Sequence, residues 1–290
     1  MDFKFIQNLV SGKWVISAPK RSKRPNELKG TATACPFCPG QNLTGKDLYR
    51  MPENSNDYNW KVKVTENKFP FAKVHEIIIH SPDHHKSFDE LPLEQTKLIL
   101  KTFKNRFLEH KDKGQVYIFT NHGQEAGESL PHPHSQLVVI PDNVNLEFPH
   151  HELKTSEKFK ETGFFNIFCP HESSWPDEIW LYPRQRGKHF FEISDEEIQD
   201  LSKNLYRLIQ IFDLRHGHEF PYNISIYPGI DWYLRIIPRI KIIGGFEVGT
   251  NVYVNTQDPA ETIEFILEHF ETPNEEKIKT VHRANYSRHS

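Results

Sequence analysis

Cysteine is scarce in this chain of 290 residues: there are three. An odd, low count argues against a disulfide framework. Charge of one sign is lacking as well. Lys and Arg number 36, Asp and Glu 39, for a net charge of −3 with His neutral. That balance gives no electrostatic case for duplex nucleic acid or an anionic membrane surface, so neither is expected as a partner. No segment approaches the ~18 apolar residues of a membrane span. Residues 1–11 lack the charged-then-apolar layout of a secretory signal. The expectation is a cytoplasmic protein with one large or two ordinary domains.

What is present is periodic. Residues 13–17 alternate as a strand, and a basic loop follows at 20–25. The span 31–58 reads as loop. Strands are predicted at 61–64 and 75–80. A helix follows, with Asp89 or a neighbour as cap and an apolar face from Leu93 to Leu108. Strands at 116–119 and 137–140 enclose a Gly-containing loop. The second half gives a strand at 177–181, a helix from Ser194 to Phe212 capped by Ser194, then strands at 222–226 and 234–238.

The order repeats. His75-Glu76-Ile77 and Asp177-Glu178-Ile179 lie 102 positions apart, as do Glu90-Leu91 and Glu192-Ile193. Pro141 and Pro238 each close a last strand, and counting back from them sets Asp231 opposite His134. This predicts two copies of one strand–helix–strand–strand unit, 1–148 and 149–290, with the chemistry kept in the first.

The densest chemistry is His132-Pro133-His134-Ser135-Gln136. At the start of a strand, residues 132, 134 and 136 face one side. A neutral imidazole attacks phosphorus well when its other nitrogen is held by an acceptor. An amide such as that of Gln136 can hold a phosphoryl oxygen as charge develops. In the preceding loop, Gly123 and Gly127 allow close backbone approach to phosphate, and Asn121 and Ser129 add donors; an ordinary turn would also use these residues. Cys35-Pro36-Phe37-Cys38 is a two-thiolate knuckle that His84, His85 or His132 can complete as a zinc site. A free or redox-active thiol pair is the alternative. Arg21 and Arg24 can grip a phosphate, or belong to a solvated charge run.

Together these stretches resemble the galactose-1-phosphate uridylyltransferase family and its ADP-glucose and dinucleoside-polyphosphate phosphorylase relatives. The resemblance runs from about Leu9 to Phe270. It takes in Gly12-Lys13-Trp14-Val15-Ile16, Arg21-x-x-Arg24-Pro25, the Cys35–Cys38 knuckle, residues 66–70 and Ser81-Pro82-Asp83-His84. It continues through Asn121 to Gln136 and ends with Gly245-Phe246-Glu247.

The resemblance implies an α+β fold: a tandem pair of histidine-triad-like units, antiparallel sheets with packed helices, in a homodimer. It implies one Zn2+ per chain on Cys35, Cys38, His84 and His132. It makes His134 a nucleophile that carries a nucleotidyl group, with Gln136 and Ser129 beside it. Substrate contacts fall on Arg21, Arg24, Asn67, Asn121, Gly123, Gly127, Lys241 and Glu247. The partners are a nucleotide sugar and a sugar 1-phosphate, or phosphate. No second metal is expected, because Asp231-Trp232-Tyr233-Leu234-Arg235 occupies the corresponding stretch. The other readings are a phosphorylase, a nucleotide hydrolase, which Gln136 disfavours, and a non-catalytic zinc-stabilised nucleotide binder.

Overall fold

The computed structural model describes residues 3–23, 34–41, 44–149 and 158–271. Arg24 lies outside them. The elements run β1 (Lys4–Gln7), β2 (Trp14–Ser17), β3 (Asp47–Met51), β4 (Val62–Glu66), β5 (Val74–Ile79), α1 (Leu93–His110), β6 (Gln115–His122) and β7 (His134–Ile140). They continue with β8 (Lys160–Glu161), β9 (Phe165–Phe168), β10 (Ile179–Pro183), α2 (Asp195–His216), β11 (Tyr222–Ile226), β12 (Leu234–Pro238), α3 (Gly245–Thr250) and α4 (Pro259–Phe270). β1 and β2 form a small hairpin.

The other ten strands form one antiparallel sheet, ordered β3-β4-β5-β7-β6-β11-β12-β10-β9-β8. Outward from its centre the order is β6, β7, β5, β4 on one side and β11, β12, β10, β9 on the other. The fold is α+β, with two units of like strand order in tandem. The units meet where β6 pairs with β11, from Ile118 with Ile226 to His122 with Tyr222. Alternation along the strands sends Ile78, Leu137, Val139, Leu234 and Ile236 into a core with α1, α2 and α4. The opposite face carries His134 and Gln136 in the first unit, and Tyr233 and Arg235 in the second.

The two long helices start differently. Ser194 caps α2 as expected: its Oγ accepts from Glu197 N at 3.1 Å, and its own N donates to Glu197 Oε2 at 2.7 Å. Such a box contributes about 1 kcal/mol. Asp89 does not cap α1. The N-cap is Pro92, with no side-chain bond, and Asp89 is instead buried near Asp213. Six further elements carry no signal in the sequence reading: β1, β3 inside the loop-like span, β8, β9, α3, and α4, which Asp258 caps through Ala260 N at 2.9 Å.

The sheet also corrects the alignment of the halves. His75 faces the His134 side, but Asp177 faces the helices. Asp177 is held by Arg215 Nε at 2.9 Å and Thr262 Oγ1 at 2.6 Å. Its counterpart is Glu76, held by Arg106 Nε at 2.8 Å and His110 Nε2 at 2.7 Å. A shift of one residue along a strand exchanges the faces. With Glu76 matched to Asp177, Ile79 matches Trp180, and their partners across the ladders are His134 and Arg235. Arg235, not Asp231, stands where His134 stands. Counting from the prolines misleads because Pro141 lies beyond β7 whereas Pro238 is the last residue of β12. Asp231 sits in the preceding turn at φ 60°.

Candidate functional site

His134 opens β7, and its side chain and that of Gln136 line a cavity of about 280 Å³. Asn67, Lys68, Phe69, Ser129 and Ile77 share the wall, with Ala34, Pro36, Phe37 and Leu130 as its apolar part. Both His134 and Gln136 are buried. The Phe37 ring lies 5.0 Å from the His134 ring, centre to centre. Behind the strand, Ser135 Oγ bonds Thr120 Oγ1 at 2.5 Å and His80 Nε2 at 2.7 Å, which ties β7 to β6 and β5.

Each imidazole has its tautomer set by its neighbours. His134 Nδ1 donates to His132 O, two residues before it, at 2.9 Å, so the lone pair is on Nε2. His132 Nε2 donates to Ser81 O at 2.9 Å, so its lone pair is on Nδ1. Burial, helped by His84 and His134, pushes His132 down to about 4 and keeps the ring neutral.

His132 Nδ1 lies 3.7 Å from both Cys35 Sγ and Cys38 Sγ, and His84 Nδ1 lies 3.3 Å from Cys38 Sγ. The four ligand atoms are within 4.8 Å of one another. Sulfur and nitrogen on a tetrahedral zinc are separated by about 3.6 Å, so the donor set fits a metal ion. The thiol chemistry agrees. Burial, with Cys38 beside it, pushes Cys35 up to about 12. A divalent cation reverses that balance and holds the thiolates. Of the two adjacent histidines it is His84 that joins the cluster, with His85 outside it.

The remaining residues divide. Asn67 and Ser129 line the cavity. Arg21 is anchored beside it: its Nη1 donates to Phe69 O at 2.5 Å, and its guanidinium lies 4.8 Å over the Phe71 ring. Gly123 and Gly127 shape the loop from behind the wall. Gly123 has φ 82°, and a Cβ there would come within 2.8 Å of Pro221. Its N–H donates to Glu128 Oε2 at 2.8 Å, and that of Gly127 to Gln124 O at 3.0 Å. In this conformation neither N–H is turned to a ligand. Asn121 Oδ1 accepts from Asn223 Nδ2 at 2.9 Å, in a groove next to the cavity. Lys241 Nζ and Glu247 Oε1 pair at 2.8 Å, away from the cavity wall of the same chain.

Two residues of the site carried no sequence signal that singled them out. His75 Nε2 lies 2.9 Å from Gln136 Oε1. Asn223, in the second unit, donates to Ala126 O of the 121–133 loop at 2.9 Å. The 102-residue spacing of Asn121 and Asn223, which pair in the sheet, was the one hint available.

Several known proteins are similar to this chain. Residues 46–139 match the galactose-1-phosphate uridyl transferase, N-terminal domain, family. An ADP-glucose phosphorylase of Arabidopsis thaliana is 27% identical, over 89% of this chain and 91% of its own length. A galactose-1-phosphate uridylyltransferase of Thermotoga maritima is 25% identical, over 88% and 94%. The crystal structure of an Arabidopsis thaliana ADP-glucose phosphorylase with bound ADP-glucose shares the fold, with a TM-score of 0.71 and 24% identity over 92% of this chain and 99% of that one. The resemblance read from the motifs is borne out.

Proposed function

We propose that this chain, whose residues 46–139 match the galactose-1-phosphate uridyl transferase N-terminal domain family, moves a nucleoside monophosphate from a nucleotide sugar to a sugar 1-phosphate through His134. The observation that carries the reading is the bond from His134 Nδ1 to His132 O, which leaves Nε2 as a nucleophile facing the cavity. Nε2 attacks the α-phosphorus; the nitrogen–phosphorus bond forms and the sugar 1-phosphate departs. An oxygen of the second sugar 1-phosphate then attacks the same phosphorus and frees the imidazole. Gln136 and Asn67 offer amide donors to the phosphoryl oxygens, and Ser129 a hydroxyl. Arg21 and Arg24 act on substrate phosphates.

Zinc is the ion proposed for Cys35, Cys38, His84 and His132, from two thiolates and two imidazoles at tetrahedral spacing. It would brace His132, whose carbonyl holds the His134 proton. The unit boundary is placed after residue 148, with 149–290 as the degenerate unit. Lys241 and Glu247 are assigned to the active site of a second copy in a homodimer. Exposed apolar side chains around them, Ile242, Phe246 and Val248 among them, support that contact. A cytoplasmic setting is supported by the low cysteine count.

The 27% identity to an ADP-glucose phosphorylase favours one second reading, transfer of the nucleotidyl group to inorganic phosphate. One experiment addresses both. The protein is incubated with UDP-glucose and ADP-glucose, and its mass is measured before and after galactose 1-phosphate or phosphate is added. A uridylyl adduct discharged by the sugar phosphate supports the first reading; an adenylyl adduct discharged by phosphate supports the second. No adduct with either donor would sink both.

A further inference from the structure

His75 lies outside the motifs, buried in β5 beneath the cavity. Phe71 N donates to its Nδ1 at 3.2 Å. A backbone N–H is only a donor, so Nδ1 accepts and the ring proton is on Nε2. That nitrogen lies 2.9 Å from Gln136 Oε1 and 3.0 Å from Asn67 Nδ2. With the proton on Nε2, the bond made is the one to Gln136. Asn67 has its own oxygen engaged, since Oδ1 accepts from Phe69 N at 2.8 Å. Both amide oxygens are thus held by donors, and the Gln136 nitrogen is left to donate.

We infer that His75 is a positioning residue that locks the Gln136 amide with its nitrogen toward the reacting phosphate. This rests on the proposed nucleotidyl transfer. A glutamine amide can turn over with little cost when nothing holds it, and then presents a lone pair to a phosphoryl oxygen. The His75 bond makes the turned state lose a buried hydrogen bond. The cavity thereby presents donors to an anion on which charge is growing. The hold reaches further: the Phe71 ring lies 4.3 Å from the His75 ring, and the Arg21 guanidinium packs over the Phe71 ring.

The test uses the metal-loaded full chain as wild type, His75→Leu and His75→Gln. Single-turnover formation of the nucleotidyl adduct is followed with UDP-glucose and ADP-glucose. The leucine variant should form adduct about 10- to 100-fold more slowly, with KM changed far less than kcat. The glutamine variant, whose amide can donate to Gln136, should recover part of the rate. Melting temperature and bound metal should match wild type in both. In parallel, nitrogen-15 spectra of the wild-type histidines should show His75 protonated at Nε2. Wild-type rates in the leucine variant, or a proton on His75 Nδ1, would overturn the proposal. If wild type forms no adduct while His75 carries its proton on Nε2, the transfer reading falls and the hold on Gln136 stands.

Discussion

The two units have the same strand order and differ in what their open faces carry. Where the first has His134, bonded to a backbone carbonyl, the second has Arg235, whose Nε donates to Glu178 Oε1 at 2.6 Å. Where the first has His132 among two thiols and a third imidazole, the second has Tyr233, stacked on Trp180 with ring centres 4.4 Å apart. Trp180 Nε1 also donates to Glu178 Oε1, at 2.5 Å. The first face keeps its lone pairs turned toward ligands. The second closes its polar groups on one another and buries aromatic surface over them. The same scaffold therefore carries the candidate site on one half and a closed, supporting face on the other. The support is direct, because Asn223 reaches across the junction to the 121–133 loop.

Four measurements can break this comparison. Replacing His134 with Ala should abolish the adduct and lower turnover by about 10⁴-fold or more. Replacing Arg235 with Ala should leave one adduct per chain by mass spectrometry. A second adduct, or one surviving the loss of His134, would refute the assignment of chemistry to one half. Next in size, Cys38→Ser should release the metal and cost about 3 kcal/mol, a fall in Tm of roughly 6–12 °C. Metal analysis with a thermal melt reads it; a full complement of metal in the variant would remove the knuckle from the site.

Asn223→Ala, in the second unit, should lower turnover about 10-fold, or ~1.4 kcal/mol, with the metal retained. Unchanged kinetics would make the second unit a passive scaffold. The smallest effect is in the 121–133 loop. Burial, together with Glu219, outweighs the Gly123 N–H and pushes Glu128 up from 4.5 to about 7. Its pKa is therefore higher folded than unfolded. The resulting destabilisation is absent below about pH 4.5, grows with pH, and is complete above about pH 7. Glu128→Gln should raise Tm by a few degrees at pH 8 and leave it unchanged near pH 4. A gain that does not grow with pH would exclude a buried carboxylate as the cause.

Much of the reactive face was legible because its residues are neighbours in sequence. The spacing of His132, His134 and Gln136 gives a common face from strand geometry alone, and two cysteines three apart limit themselves to few chemistries. Residues brought together by the pairing of strands were hidden. His75 meets Gln136, and Asn223 meets Asn121, only through registers that the one-dimensional pattern leaves open. The match of His134 to Asp231 failed for that reason: distance from a proline measures chain length, and ladder partners measure place. β3 was lost to a span rich in Pro, Asn and Gly, where composition outweighs a five-residue alternation. Gly123 and Gly127 suit either phosphate contact or an ordinary turn in the sequence, and their positive φ and internal bonds serve the turn.

The β6–β11 junction has a consequence for how the molecule comes apart. Each unit closes the open edge of the other. If one melted alone, the survivor would expose a row of bare N–H and C=O groups along its central strand, together with Ile118 or Ile226 and their neighbours. Partial unfolding is therefore penalised on both sides, and the two halves should melt in one cooperative transition. An isolated half, cut free between the units, would carry a strand edge open to any other chain, and would aggregate before it revealed any chemistry of its own.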